Sequence, residues 1–230
     1  MRFLALLKKE LRECLPWLAM AAVFLLVFGN LVIWDRATGG PNFRYQTFER
    51  YSEVYGYNLT RQPTATLGVL LFLATGGLAV ALGVRQFWVD DFTGSWGFVL
   101  HRSAGGSEIL SAKLTAGLIS FILALGLVWT YLFWRAGLPD FSPIPMPLRS
   151  YVEGWLFIGA GLTGYLAAGL AGVSKAKWWT TKLLAPAFAV WMFVSLVTQW
   201  QILWGFAVLA FSAAVLLCLM FEKFLNRQFT

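Results

Sequence analysis

The chain has 230 residues, 59% of them hydrophobic and only 13% charged, where soluble domains are about half apolar and about a quarter charged. Its apolar residues gather into runs of roughly 18 or more, and 12 Trp with 20 Phe suit the two headgroup belts of a bilayer, so the composition excludes an ordinary soluble domain and implies an all-α, multi-span membrane protein. The net charge of +7 does not imply nucleic acid as a partner, because the basic residues cluster at the ends of apolar runs and form no continuous stripe.

The first 15 residues, Met1 to Leu15, predict an amphipathic helix at the membrane interface. Leu4, Leu7, Leu11 and Leu15 fall at helical spacing, widened by Phe3 and Leu6, while Arg2, Lys8, Lys9, Glu10, Arg12 and Glu13 make the polar face. Pro16 is expected to break the direction. Trp17 to Trp34 is the first span, bracketed by tryptophans. Its apolar core is too long for a signal peptide, and Ala37-Thr38-Gly39 is a poor cleavage match. Residues 35–63 are the largest polar segment, with six aromatic residues among its charges. They predict a compact external unit, partly helical from about Tyr45 to Val54, whose roles are packing as a lid, partner docking or gating of an exit path. Asn58-Leu59-Thr60 in it matches a glycosylation acceptor, a common chance match.

Thr64 to Val84 is the second span. The polar segment 85–114 follows, and its residues are not those of an idle loop. Asp90-Asp91 precede Thr93-Gly94, a turn signal, and Ser95, a helix-capping type. Trp96, Phe98, Val99 and Leu100 are apolar again. His101-Arg102, Gly105-Gly106, Ser107-Glu108 and Ile109-Leu110 lead through Lys113 into the next run. This pattern predicts a short amphipathic helix at the membrane surface between two spans. Thr115 to Phe133 is the third span. Ala136 to Ser150 carries four prolines at a spacing that forbids helix. Tyr151 to Val173 is the fourth span, in which Ala160, Gly164, Ala168 and Gly172 form one stripe of small residues, a surface for close helix packing. A basic turn at Ser174 to Lys182, a fifth span at Leu183 to Thr198, a tight external turn, a sixth span at Ile202 to Phe221 and a basic tail complete the chain.

Six spans place both termini on one side. With the termini inside, cytoplasmic segments hold twelve Lys and Arg and external segments six. That bias predicts cytoplasmic termini and a cytoplasmic 85–114 segment.

The order of these parts resembles the permease subunits of type-two, exporter-like ATP-binding-cassette (ABC) transporters. In that family a cytoplasmic segment between the second and third spans reads, loosely, as acidic residue, Gly-Thr or Gly-Ser, aliphatic run, Arg-Pro, polar turn, Glu-aliphatic-aliphatic and Lys. Here Asp91, Gly94-Ser95, Val99-Leu100, His101-Arg102, Ser107-Glu108-Ile109-Leu110 and Lys113 fall in that order. Ser103 stands where the family usually has Pro, and Gly106 where a basic residue is common. The opening leucines before Lys9-Glu10-Leu11-Arg12 resemble the family's N-terminal elbow helix. Motif-level similarity is confined to these two stretches. The resemblance implies a half-transporter in a bacterial cell membrane, paired with a second copy or a related permease, with nucleotide-binding subunits beneath that carry ATP and Mg. It implies that Asp90–Leu110 is a coupling helix seated in a cleft of the ATPase. Trp96, Phe98 and Leu100 would be its apolar anchors, and Asp91, Arg102 and Glu108 its polar register.

The chain itself carries no Walker phosphate loop, no His-Glu-x-x-His and no Gly-x-Ser-x-Gly. His101 has no second imidazole or cysteine near it, and Cys14 and Cys218 lack metal spacing. No catalytic residue, metal site or cofactor of its own is expected, nor any buried charge pair. The predicted membrane interiors hold no Asp, Glu, Lys or Arg, which argues against an ion-driven carrier. Two other classes fit the same sequence: a non-transporting subunit that anchors a larger complex, and a membrane-embedded lipid enzyme. The substrate is not encoded in any recognisable motif.

Overall fold

The computed structural model describes residues 2–37, 64–93, 105–138, 147–174, 187 and 202–225. Among these residues the structure is helical, without strands. Five helices are long and apolar enough to cross a membrane: Phe3–Trp34, Thr66–Trp88, Gly106–Ala136, Leu148–Val173 and Ile202–Leu225.

The first helix, α1, runs unbroken over Arg2–Ala37 with Pro16 inside it. The helix does not end at Pro16, where a break in direction is expected. A proline removes one backbone bond and crowds the preceding turn, at a cost of about 3 kcal/mol. Here Glu10 and Cys14, on the turns before it, are buried, and that packing holds them in line. Thirty-six helical residues reach about 54 Å, well beyond a hydrocarbon core of about 30 Å. The helix is longer than one crossing needs, and its leading turns as far as Glu13, which carry Lys8, Lys9, Glu10, Arg12 and Glu13, are the part least suited to hydrocarbon and form its stalk. Its leucine stripe is divided: Leu4 and Leu15 are 66% and 63% exposed, and the face buried in the bundle is Glu10, Cys14, Leu25, Gly29 and Ile33.

The second helix, α2, comprises Thr64–Gly83, a widened π turn at Val84–Trp88 and a last turn at Val89–Phe92. The third, α3, comprises Gly106–Phe121, a π turn at Ile122–Gly126 and Leu127–Ala136. Both reach further than the expected spans: α2 continues to Phe92 and α3 begins at Gly106, inside the segment 85–114 expected to separate them, and residues 94–104 lie outside the described residues. A π turn inserts one residue, which rotates everything beyond it by about 100°. At Val84–Trp88 it brings Gln86 and Phe87 inside together. The fourth helix, α4, is Leu148–Val173 and the fifth, α5, is Ile202–Leu225.

Close approaches fix the helix directions. On α1 and α3, Glu10 meets Lys113 and Asn30 meets Arg135, so the two run parallel. On α2 and α4, Gly68 faces Phe157 and Gly83 faces Ala168, again parallel. Gly117 faces Tyr165 and Gly154 faces Trp129, so α3 and α4 are antiparallel. Gly159 faces Leu209 and Gly169 faces Met220, so α4 and α5 are parallel. One end of the bundle thus collects Arg2, Phe92, Gly106, Val173 and Leu225. The other collects Ala37, Thr64, Ala136, Leu148 and Ile202. Trp129, Tyr165, Phe87 and Phe121 fill the centre.

The expected external unit beyond Ala37, the proline-rich crossing at 139–146, the basic turn at 175–182 and the fifth span at Leu183 to Thr198 lie outside the described residues.

Candidate functional site

The strongest polar feature sits where α1, α2 and α3 meet, at the end of the bundle where α2 ends and α3 begins. Gly105 is extended (φ −65°, ψ 146°) and α3 starts directly after it. Glu108 lies in the first turn, where a carboxylate complements the helix dipole. Directly after it Ile109 and Leu110 are buried, and Lys113, one turn further on, falls on the same inward face. Lys113 is 3% exposed.

Its ammonium is shared by two carboxylates from two other helices. Lys113 Nζ lies 3.1 Å from Glu10 Oε1 on α1 and 2.9 Å from Asp90 Oδ2 on α2. The Glu10 and Lys113 side chains are 5% and 4% exposed, and Asp90 is 21% exposed. This buried ion cluster corrects the expectation that the chain has no buried charge pair. Glu10 is read from the sequence as part of an exposed polar face. Its register with Cys14, Leu25, Gly29 and Ile33 instead turns it inward. A second pair lies beside the first: Arg85 Nη2 to Glu13 Oε2 at 2.8 Å, with Lys9 Nζ 3.6 Å from Glu13 Oε1.

Below the ions is a layer of neutral hydrogen bonds. Gln86 Nε2 donates to Cys14 Sγ at 3.1 Å. Tyr165 Oη donates to Gln86 Oε1 at 2.5 Å and lies 3.1 Å from the Lys113 carbonyl. Phe87 and Phe121 flank the Tyr165 ring at 5.9 and 6.2 Å between centroids. Four helices therefore converge on one network. Glu10 lies seven residues before Trp17, about 10 Å along the helix. The cluster thus lies outside the apolar run that begins at Trp17.

Of the residues predicted to contact an ATPase, Asp91 lies in the last turn of α2, Val89–Phe92. Glu108 is exposed on the first turn of α3. Trp96, Phe98, Leu100 and Arg102 lie outside the described residues. Asp91 and Glu108 flank the ends held by the Asp90–Lys113 pair.

The small residues of α4 face α2. A Cβ added at Gly83 would lie 2.5 Å from Ala168 Cβ, and one at Gly164 3.5 Å from Ala79 Cβ. A Cβ at Gly172 would lie 2.5 Å from Trp88 Cδ1, and Trp88 Nε1 donates to the Ala168 carbonyl at 2.9 Å. Ala160, on the same face, is 8% exposed.

Sequence reasoning missed Glu10, Gln86 and Tyr165 as members of one site. The available signal was Lys113, a lone cation amid Ile109, Leu110, Ala112, Leu114 and Ala116, a run that would otherwise bury an apolar face. Among the described residues no group of three or more His, Cys, Asp or Glu is placed to hold a metal ion. Among the described residues the network pairs no nucleophile with a general base. What it can do is hold the ends of α2 and α3 in fixed relation to each other and to α1. Comparison of the chain with family models, with curated proteins and with solved structures finds no match.

Proposed function

We propose that the chain is the membrane-spanning permease subunit of an exporter-like ABC transporter. In this reading a separate ATPase subunit docks on the segment between α2 and α3 and drives a pathway formed with a second permease copy or a related permease. The observation that carries the reading is the Glu10–Lys113–Asp90 cluster. It clamps both roots of that segment and ties them to α1 at the end of the bundle rich in Lys and Arg. A loop that receives a mechanical push needs stiff roots, and a buried ion network supplies stiffness that a plain connector does not require. The push then reaches α4 through Gln86 and Tyr165.

Six crossings with cytoplasmic termini complete the proposal. The parallel course of α4 and α5 supports them, since Val173 and Ile202 lie at opposite ends of the bundle. In this reading the apolar run Leu183 to Thr198 supplies the return crossing between them. The test is affinity purification of the full chain from its native membrane. The reading expects an ATPase in near-equal amount, with hydrolysis that survives purification. A chain that repeatedly purifies without an ATPase removes the reading and leaves an anchoring subunit as the better one.

A further inference from the structure

We propose that the outward face of the α1 stalk, centred on Lys8 and Arg12, is a binding surface for anionic lipid headgroups. In sequence the stretch Lys8-Lys9-Glu10-Leu11-Arg12-Glu13 looks electrically mixed. The fold separates the charges. Glu10 is turned inward onto Lys113, and Glu13 onto Arg85 with Lys9 alongside. Lys8 and Arg12, one helical turn apart, are both exposed. Among the described residues neither has a carboxylate within ion-pair distance. The outward face is therefore cationic, although the segment is not.

Its position selects the occupant. Lys8 and Arg12 continue the line of exposed apolar residues that includes Leu15 at 63% and Val23 at 57% exposure. That line faces the lipid tails, so the same face one to three turns earlier faces the lipid headgroups. Arg12 precedes Trp17 by five residues, about 8 Å along the axis, and Lys8 by nine, about 14 Å. Headgroups occupy about 5–8 Å on each side of the hydrocarbon, so Arg12 lies at their level and the long Lys8 side chain reaches back toward them. Leu15, 63% exposed, offers an acyl contact on the membrane side of the cations. Each basic side chain close to an anionic leaflet multiplies the local preference by about fivefold.

The experiment uses the full chain in nanodiscs of phosphatidylcholine with phosphatidylglycerol. Phosphatidylglycerol or phosphatidylcholine carrying a headgroup diazirine is photo-crosslinked, and the labelled peptides are quantified. The expected result is an anionic-to-neutral labelling ratio at residues 4–16 at least fivefold above that at Leu203 to Phe211. Lys8→Gln with Arg12→Gln should bring the ratio to parity, and Lys8→Arg with Arg12→Lys should keep it. Equal ratios at the two regions in the unaltered chain overturn the proposal. So does a ratio that persists in the double glutamine variant. Loss of the ratio when an acidic soluble protein co-purifies would assign the face to that protein instead.

Discussion

Lys113 on α3 and Glu10 on α1 stand 103 positions apart in sequence, yet their side chains meet at 3.1 Å with almost no solvent contact. Removing one member of such a pair costs more than removing both, because the survivor keeps its charge without a partner. Lys113→Ala is expected to destabilise the chain by about 3–5 kcal/mol. Glu10→Leu combined with Lys113→Met should recover most of that loss, with Asp90 partly solvated. Thermal unfolding of purified protein, followed by size-exclusion recovery, measures both. Equal loss in the single and combined variants would show that the cluster contributes packing rather than charge pairing.

Tyr165→Phe isolates the hydrogen-bond layer from the ions. It leaves Gln86 Oε1 buried without its donor, a loss of about 1–3 kcal/mol. Gln86→Leu should cost a similar amount. The double variant should cost less than the sum, because the two side chains share one bond. Additive losses would mean that Tyr165 acts through its ring contacts with Phe87 and Phe121 alone.

The α2–α4 seam gives a steric prediction. Gly83→Leu and Ala168→Leu each force bulk into a gap in which an added Cβ already lies 2.5 Å from the opposing carbon. Both should lower folded yield more than Leu162→Phe, which changes a half-buried position. The expected penalty is about 1–3 kcal/mol or more. Equal yield for all three would show that α2 and α4 separate in the membrane-embedded protein.

Topology can be read by thiol labelling in a background lacking Cys14 and Cys218. Serine at position 14 retains a polar partner for Gln86. Single cysteines at positions 46 and 142 should react with an impermeant reagent in intact cells, and those at 104 and 176 only after lysis. Labelling at 104 from outside would invert the bundle and remove the 94–104 segment from reach of a cytoplasmic ATPase.

The five described membrane helices are legible in the sequence because each is a long apolar run, a signal that depends on no neighbour. Their ends are not legible in the same way. Pro16 and the polar residues of 85–114 are reasonable stop signals locally. Tertiary packing overrides them, since Glu10, Cys14, Asp90 and Lys113 are worth burying only when all are present. The π turn at Val84–Trp88 has no period that a sequence window detects, yet it sets which residues of that turn face Tyr165. The small-residue spacing on α4 indicates a close-packing face but not its partner, which is α2 through Gly83 and Ala79. A lone lysine between apolar residues was the readable part of the ion cluster. Its two carboxylates, on separate helices, could be found only in three dimensions.

The proposed coupling role of the segment between α2 and α3 is tested most directly at Trp96 and Glu108. Buried aromatic anchors dominate protein contacts, so Trp96→Ala should lower recovery of a co-purifying ATPase by on the order of thirtyfold, about 2 kcal/mol. Glu108→Lys reverses an exposed charge at the start of α3 and should weaken recovery less, with greater dependence on salt. Neither change should reduce the amount of chain in the membrane. The measurement is ATPase recovery and transport-stimulated hydrolysis for both variants at two salt concentrations. The account predicts a large, salt-insensitive loss for Trp96→Ala and a smaller, salt-sensitive one for Glu108→Lys. A full complement of ATPase with normal stimulation in both variants would contradict it.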